Sequence, residues 1–339
     1  MPSDTLDKFR RLYSELPLID KSSAGAAAAR DAVLTKPAGA LGRLEDLAVW
    51  MSGWQRKHPP TYTSPQVVVF AGNHGVCDQG ISAFPRDVTM QMVSNFRNGG
   101  AAINQLADAY GASFSVLPLA LETPTLDFTK GPAMSEEECC TALQAGWNSL
   151  SQDTDLLVVG EMGIGNTTVA AAISAALFGG TGADWAGPGT GLTMEGVRKK
   201  ATVIDAGLSL HAEILDDPLL VLQHLGGREI AAMAGAILAA RHNKTPVILD
   251  GFVVGAAAAI LKKANPAALD HCVAGHMSAE PGHELLLRHL EKEPLLTLRM
   301  RLGEGSGAAL ALGILKGAIA AHNGMASFAD AGVSGETSS

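Results

Sequence analysis

Short apolar runs that close in glycine-rich turns and open alanine-rich stretches constrain this chain more than any other feature. The runs are 66–70 (QVVVF), 113–117 (SFSVL), 155–159 (DLLVV), 246–249 (PVIL) and 271–274 (HCVA). None alternates strictly between apolar and polar along its length, a pattern that suits strands of a buried parallel sheet. Helical patterns fall between them at 88–96, 101–109, 135–150, 168–178, 196–215, 229–242, 253–264 and 282–290. Strand, helix, strand, helix predicts an α/β fold of three layers, a Rossmann-like, mostly parallel sheet with helices on both faces. Residues 1–60 read as three helices without a strand, and 306–322 as one more. A small helical domain made from 1–60 with 306–339 is therefore expected beside a large α/β domain over 61–305 that carries the substrate site. Seams are expected near Pro59-Pro60 and after Pro294, and a frayed tail over 327–339.

Composition narrows the function. With 17% charged residues and a net charge of −9, and no basic run longer than Arg198-Lys199-Lys200, the chain lacks the concentrated positive charge that a nucleic-acid surface needs. The longest uncharged stretch, 162–183, is broken by glycines and Asn166 and falls short of the roughly 20 apolar residues of a membrane span. Four cysteines without a C-x-x-C pair, and an N-terminus with acids before its bases and no apolar core, point to a cytoplasmic protein. His74, His276 and His283, with Cys77 or Asp78 nearby, match no zinc spacing, and nothing in the residues calls for a metal or another cofactor.

The 38 glycines matter through position. They gather at 71–75 (AGNHG), 160–168 (GEMGIGNTT), 187–191 (GPGTG), 249–252 (LDGF), 275–282 (GHMSAEPG) and 301–307 (RLGEGSG), at strand ends where open α/β sheets bind ligands. In the second cluster two glycines let the backbone approach a ligand while Asn166 or Thr167 can cap the helix that follows. There is no G-x-x-x-x-G-K-[ST], and Gly163-x-Gly165 lacks the third glycine of a dinucleotide fingerprint. What remains is a phosphate-bearing small molecule held without those signatures.

Six ordered motifs carry a resemblance: 36–45 (KPAGALGRLE), 71–76 (AGNHGV), 160–168, 249–252, 276–280 (HMSAE) and 301–309 (RLGEGSGAA). Across nearly its whole length the chain resembles the nicotinate-nucleotide:5,6-dimethylbenzimidazole phosphoribosyltransferases, which make α-ribazole phosphate for the lower ligand of cobalamin. The resemblance implies a homodimer, with nicotinate mononucleotide and a benzimidazole as small-molecule substrates. It places the catalytic base at Glu304 and a second active-site acid at Glu161, and puts Gly163, Gly189, Lys200 and Ser278 around the mononucleotide, with Asn166 and Gly191 in the same loops. Aligned through Pro85 and Thr89, the serine and glutamine of the family's benzimidazole pocket fall on Phe84 and Met92, with Ser82 and Gln91 as nearby polar candidates. His74 and Leu302 complete the expected acceptor pocket.

The chemistry fits these residue types. Nicotinate leaves from a cationic pyridinium and needs no acid, whereas a benzimidazole must lose its N–H proton as its other nitrogen attacks C1'. A glutamate raised toward neutrality by apolar surroundings can take that proton. Glu304, between Gly303 and Gly305 and after Leu302, can be presented on such a turn. The phosphate would rest on backbone amides near 189–191 and Ser278 with Lys200 as counter-charge. The plainer readings stand beside these. Glu304 can be a solvent-facing turn carboxylate, Glu161 an acid facing a helix dipole, and Lys200 an exposed helix lysine. Asp250 can orient substrate or cap the helix after it. Phe84 and Met92 keep open a related transferase for another base or a phenol. A non-catalytic pyridine-nucleotide-binding protein is the remaining alternative.

Overall fold

Val67 and Val69 point to one face of the first strand and Val68 and Phe70 to the other, and all four are fully buried, so that strand has to be covered on both sides. The computed structural model, which describes residues 5–334, shows how. Strands β1 (Pro65–Ala71), β2 (Ser113–Pro118), β3 (Leu156–Met162), β4 (Val247–Leu249), β5 (Cys272–His276) and β6 (Pro294–Leu296) form one sheet in the order β2-β1-β3-β4-β5-β6. Every pairing between them is parallel.

The helices in chain order are α1 (Leu6–Ser14), α2 (Lys21–Asp31), α3 (Arg43–Gln55), α4 (Asp87–Arg97), α5 (Ala102–Tyr110), α6 (Glu136–Asn148), α7 (Asn166–Phe178), α8 (Gly182–Trp185), α9 (Met194–Leu210), α10 (Pro218–Leu225), α11 (Arg228–Asn243), α12 (Phe252–Ala264), α13 (Pro281–Leu290), α14 (Ser306–Gly324) and α15 (Phe328–Ala331). On one face, Val68, Phe70, Leu157, Val159 and Leu249 pack with the apolar residues of α6, α7, α10, α11 and α12. On the other, Val67, Val69, Leu156, Val158 and Ile248 meet Leu47 and Met51 of α3, Ile103 and Ala107 of α5, and Ala308 to Ile319 of α14. The result is the three-layer α/β architecture that the unalternated runs require. We propose that α2, α3 and α14, with α3 packed against both of the others, form the small helical unit expected from the two chain ends. Helix α1 lies apart, with Leu6, Phe9 and Tyr13 in the core of the opposite face.

The structure departs from the sequence pattern in several places, among them α8, which was not expected, and β2, which is only partly buried. Pro294, expected to mark a seam, opens β6, a three-residue edge strand in which a proline is tolerated because its missing N–H faces away from any partner. Helix α10 was not expected; Pro218 at its first turn and Asp217, which accepts from the N–H groups of Leu219 and Leu220 at 2.9 and 3.3 Å, start it. Helix α9 stops at Leu210 and a 3-10 turn over Ala212–Ile214 follows, where one helix to residue 215 was expected. In the tail expected to fray, 328–331 form α15 and Ser327 bridges to Leu34; residues 335–339 lie outside the described residues.

Strand order reverses direction at β1, which is flanked by β2 on one side and β3 on the other. At such a point the loops at the carboxyl ends of neighbouring strands run to opposite faces and leave a crevice. That crevice positions everything below.

Candidate active site

A cavity of about 580 Å³ opens at the carboxyl ends of the strands. Its lining comes from the loops after β1, β3, β4, β5 and β6, together with α4 and the 188–200 segment. The size suits a small-molecule site.

Four carboxylates line it, those of Glu161, Asp250, Glu280 and Glu304. Glu161 sits near the end of β3, and its Oε2 accepts a short hydrogen bond from Asn166 Nδ2. Glu304 rides on a turn in which three successive residues, Gly303, Glu304 and Gly305, have φ of 81, 64 and 83°. Left-handed backbone is natural for the two glycines but strained for a glutamate, and such strain persists only where the surroundings enforce it. The turn is enforced by close approach. The Glu304 carbonyl lies against Gly160 of β3, where a Cβ would collide with it, and a Cβ on Gly303 would run into the Glu161 carboxylate. The Glu304 side chain is buried, and its Oε2 has no hydrogen-bond partner. Burial pushes Glu304 up to about 7, helped by the negative charge of Asp250. Burial pushes Glu161 up to about 8, against the Asn166 hydrogen bond and with the charges of Asp250, Glu229 and Glu304 adding to the rise.

Lys200, also in the lining, is 1% exposed and donates to Thr167 Oγ1 at 2.7 Å and to the Gly187 carbonyl at 3.2 Å. Burial lowers it to about 8 while Glu280 pulls the other way. Glu280 is itself buried with neither carboxylate oxygen hydrogen-bonded, and burial raises it against the pull of Lys200. Arg301 Nη1 donates to the Gly189 carbonyl at 2.9 Å, tying the glycine loop to the Glu304 turn. The third wall is apolar: Ile81, Phe84, Val88, Met92 and Leu302, with Ser82 among them. Val88 and Met92 are one helical turn apart on α4 and share a face.

Of the residues singled out from the sequence, Glu304, Glu161, Gly163, Asn166, Gly189, Lys200, Ser278, Ser82, Phe84, Met92 and Leu302 line this cavity. Three do not. His74 is fully buried behind Gly163, with Nε2 2.7 Å from Glu229 Oε1; a Cβ on Gly163 would stand 3.2 Å from that ring nitrogen. It supports the wall from behind. Gln91 turns to the other side of α4 and lines a separate cavity with Asn73, Arg86 and Glu122. Gly191 lies off the cavity and spends its N–H on the Pro188 carbonyl at 3.0 Å. Two expected amide roles change as well. The Ser278 N–H is taken by His283 Nδ1 at 2.8 Å and the Ser278 hydroxyl oxygen accepts from the Glu280 N–H at 3.2 Å, so its O–H is what remains to donate to a ligand. Asn166 and Thr167 do not cap α7, whose N-cap is Gly165; their side chains turn instead to Glu161 and Lys200. Thr167, Glu280, Arg301 and the 252–254 segment are lining residues that the sequence reading did not assign. Glu280 and Arg301 lie inside motifs already marked by their glycines, which was the available signal. Among the described residues no cluster of three His, Cys, Asp or Glu side chains could hold a metal.

Fold and cavity together are those of an α/β enzyme that takes its substrates at a topological switch point. A family model described as phosphoribosyltransferase matches residues 16–333, and the chain belongs to that family of glycosyltransferases. A nicotinate-nucleotide–dimethylbenzimidazole phosphoribosyltransferase of Cereibacter sphaeroides is 57% identical over 98% of this chain and 99% of its own length. One of the same name from Rhizobium meliloti is 56% identical over 97% of each chain. The crystal structure of CobT from Thermus thermophilus is 39% identical, covers 93% of this chain and 100% of that one, and superposes with a TM-score of 0.86.

Proposed function

We propose that this enzyme transfers the phosphoribosyl group of nicotinate mononucleotide to dimethylbenzimidazole, giving α-ribazole 5'-phosphate and nicotinate. The names of its relatives point to these substrates, and the observation that carries the chemistry is Glu304, a buried carboxylate raised to about 7 on an enforced turn. In the transfer the C1'–N bond to the pyridinium breaks and its electron pair neutralises the nicotinate ring. One benzimidazole nitrogen bonds to C1' while the other gives its proton to Glu304. A base near neutrality is half ionised at working pH and still strong enough to accept the proton, which is the condition for efficient general-base catalysis.

Glu161, held by Asn166, lies on the ribose side. The positive pyridinium ring of the donor favours its ionised form, so that it can offset positive charge developing on the sugar. The phosphate is taken by Lys200, the Ser278 hydroxyl and the Gly189 loop, with Arg301 fixing that loop. The acceptor lies against Phe84, Val88, Met92 and Leu302. In place of Glu304, a glutamine keeps the size and loses the base; nicotinate release and α-ribazole phosphate formation by Glu304→Gln should drop by about 10²- to 10⁴-fold. Undiminished turnover would remove the assignment.

The apolar acceptor wall favours one second reading, in which a related base or phenol is taken as readily; competition between acceptors at equal concentration decides it. Two coarser properties complete the proposal. A homodimer, implied by the family resemblance, is measurable by light scattering. No helix among the described residues is long and apolar enough to cross a membrane, and none of the cysteines is in a disulfide, which supports a cytoplasmic enzyme.

A further inference from the structure

Asp250 follows β4, is 1% exposed and lines the cavity. It does not cap the helix after it: α12 has Gly251 as its N-cap, without a side-chain bond. Its two oxygens reach across to a different helix. Oδ2 accepts from the Gly305 N–H at 3.2 Å and Oδ1 from the Ala308 N–H at 2.9 Å, at the start of α14. A helix start has free N–H groups and a positive dipole end, so an ionised carboxylate is a fitting anchor there.

What that anchor holds is the residue before it. Gly305 is the N-cap of α14 and directly follows Glu304, and the whole Gly303–Gly305 turn is left-handed. The other polar tie of the turn is Ser306, whose N–H and hydroxyl both reach the Gly303 carbonyl, at 3.0 and 2.7 Å. The Glu304 side chain contributes no anchor of its own through Oε2. Its aim is therefore set by its backbone. His276 stands behind the anchor, with Nε2 3.4 Å from Asp250 Oδ1 and neither ring nitrogen hydrogen-bonded. Gly307 leaves room for that ring, which a Cβ there would strike.

We propose that Asp250 is the positioning residue of the transfer: its carboxylate grips the start of α14 and so fixes the left-handed turn that aims Glu304 into the cavity. The same charge that grips the helix also faces the base, and its repulsion adds to burial in keeping Glu304 a competent proton acceptor. One residue thus sets both the place and the strength of the base without taking the proton. The inference rests on Glu304 as that base.

The test is a double-mutant cycle of Asp250→Asn and Glu304→Gln, with kcat and the KM for nicotinate mononucleotide measured at saturating dimethylbenzimidazole and thermal unfolding recorded alongside. Asparagine keeps the size but turns an NH₂ group toward one of the two N–H donors, releasing half the grip. Asp250→Asn should lower kcat by about 10- to 100-fold, the cost of a misplaced catalytic group, with KM nearly unchanged. In the Glu304→Gln background the same change should cost almost nothing, because there is no base left to aim. A wild-type kcat in Asp250→Asn overturns the proposal, as does a double variant slower by the product of the two single losses. A raised KM at unchanged kcat also overturns it and makes Asp250 a substrate-binding group. Wild-type turnover in Glu304→Gln alone would instead strike the base assignment, so the two failures are distinct. If Asp250→Asn does not fold, Asp250→Ser, whose hydroxyl still accepts from a helix-start N–H, takes its place in the same cycle.

Discussion

Lys200 reaches the cavity buried and fixed by two hydrogen bonds, while in the same lining Phe84 is 50% and Leu302 58% exposed. The first wall is a stitched polar surface: Thr167, Gly187, Gly189 and Arg301 are joined by hydrogen bonds that leave little freedom. The second is a set of apolar side chains from α4, the loop before it and the Glu304 turn. A charged phosphate has one good geometry, set by the direction of its hydrogen bonds, whereas a flat aromatic base asks mainly for apolar area. The difference teaches that donor recognition is written in positions and acceptor recognition in surface. The base stands between the two, on a turn tied to both.

Variants that break the contrast rank by size. Lys200→Met keeps most of the buried stem and removes the charge. Losing a charge-assisted hydrogen bond costs about 1.5–3 kcal/mol, so the KM for nicotinate mononucleotide should rise about 10- to 100-fold while the KM for the acceptor stays put. Equal increases for both substrates would dissolve the distinction between the walls. On the apolar side, Phe84→Ala gives up only the half of the ring that is shielded; a few-fold to about tenfold weaker acceptor use is expected, larger for dimethylbenzimidazole than for a smaller base. Gln91→Ala, on the far side of α4, should leave both Michaelis constants and kcat within about twofold, since its side chain faces a different cavity. A clear acceptor defect in Gln91→Ala would place the polar pocket residue back at the site.

The sequence pattern made the sheet and its loops readable because buried parallel strands are written as unbroken apolar runs, and the glycines mark where backbone must approach backbone or ligand. Glu304 was legible for this reason: two glycines bracket it, and both are needed at positive φ. What stayed hidden was direction. His74 and Gln91 are polar residues near the right strand ends, yet one pairs with Glu229 beneath the floor and the other turns around α4. A local pattern does not say which side of a helix or loop meets the cavity. Gly191 and the Ser278 amide were expected to serve an anion, but neighbouring groups already use them. Asp250 is the fullest case. Its sequence neighbour is α12, and its partner is α14, more than fifty residues on, a pairing that exists only once the fold has laid the start of α14 against the ends of the adjacent strands β3 and β4. Strand β6 was hidden for a simpler reason, being three residues long and opened by a proline.

The raised carboxylates also give the account its most direct test. With both substrates saturating, kcat should climb with pH through a limb near neutrality as Glu304 ionises, since burial holds its carboxyl up at about 7. Measured side by side from acid to neutral pH, the wild-type enzyme should show that limb and Glu304→Gln, at its much lower rate, should not. The same limb with the same midpoint in the glutamine variant would mean that another group takes the proton, and would contradict the central assignment.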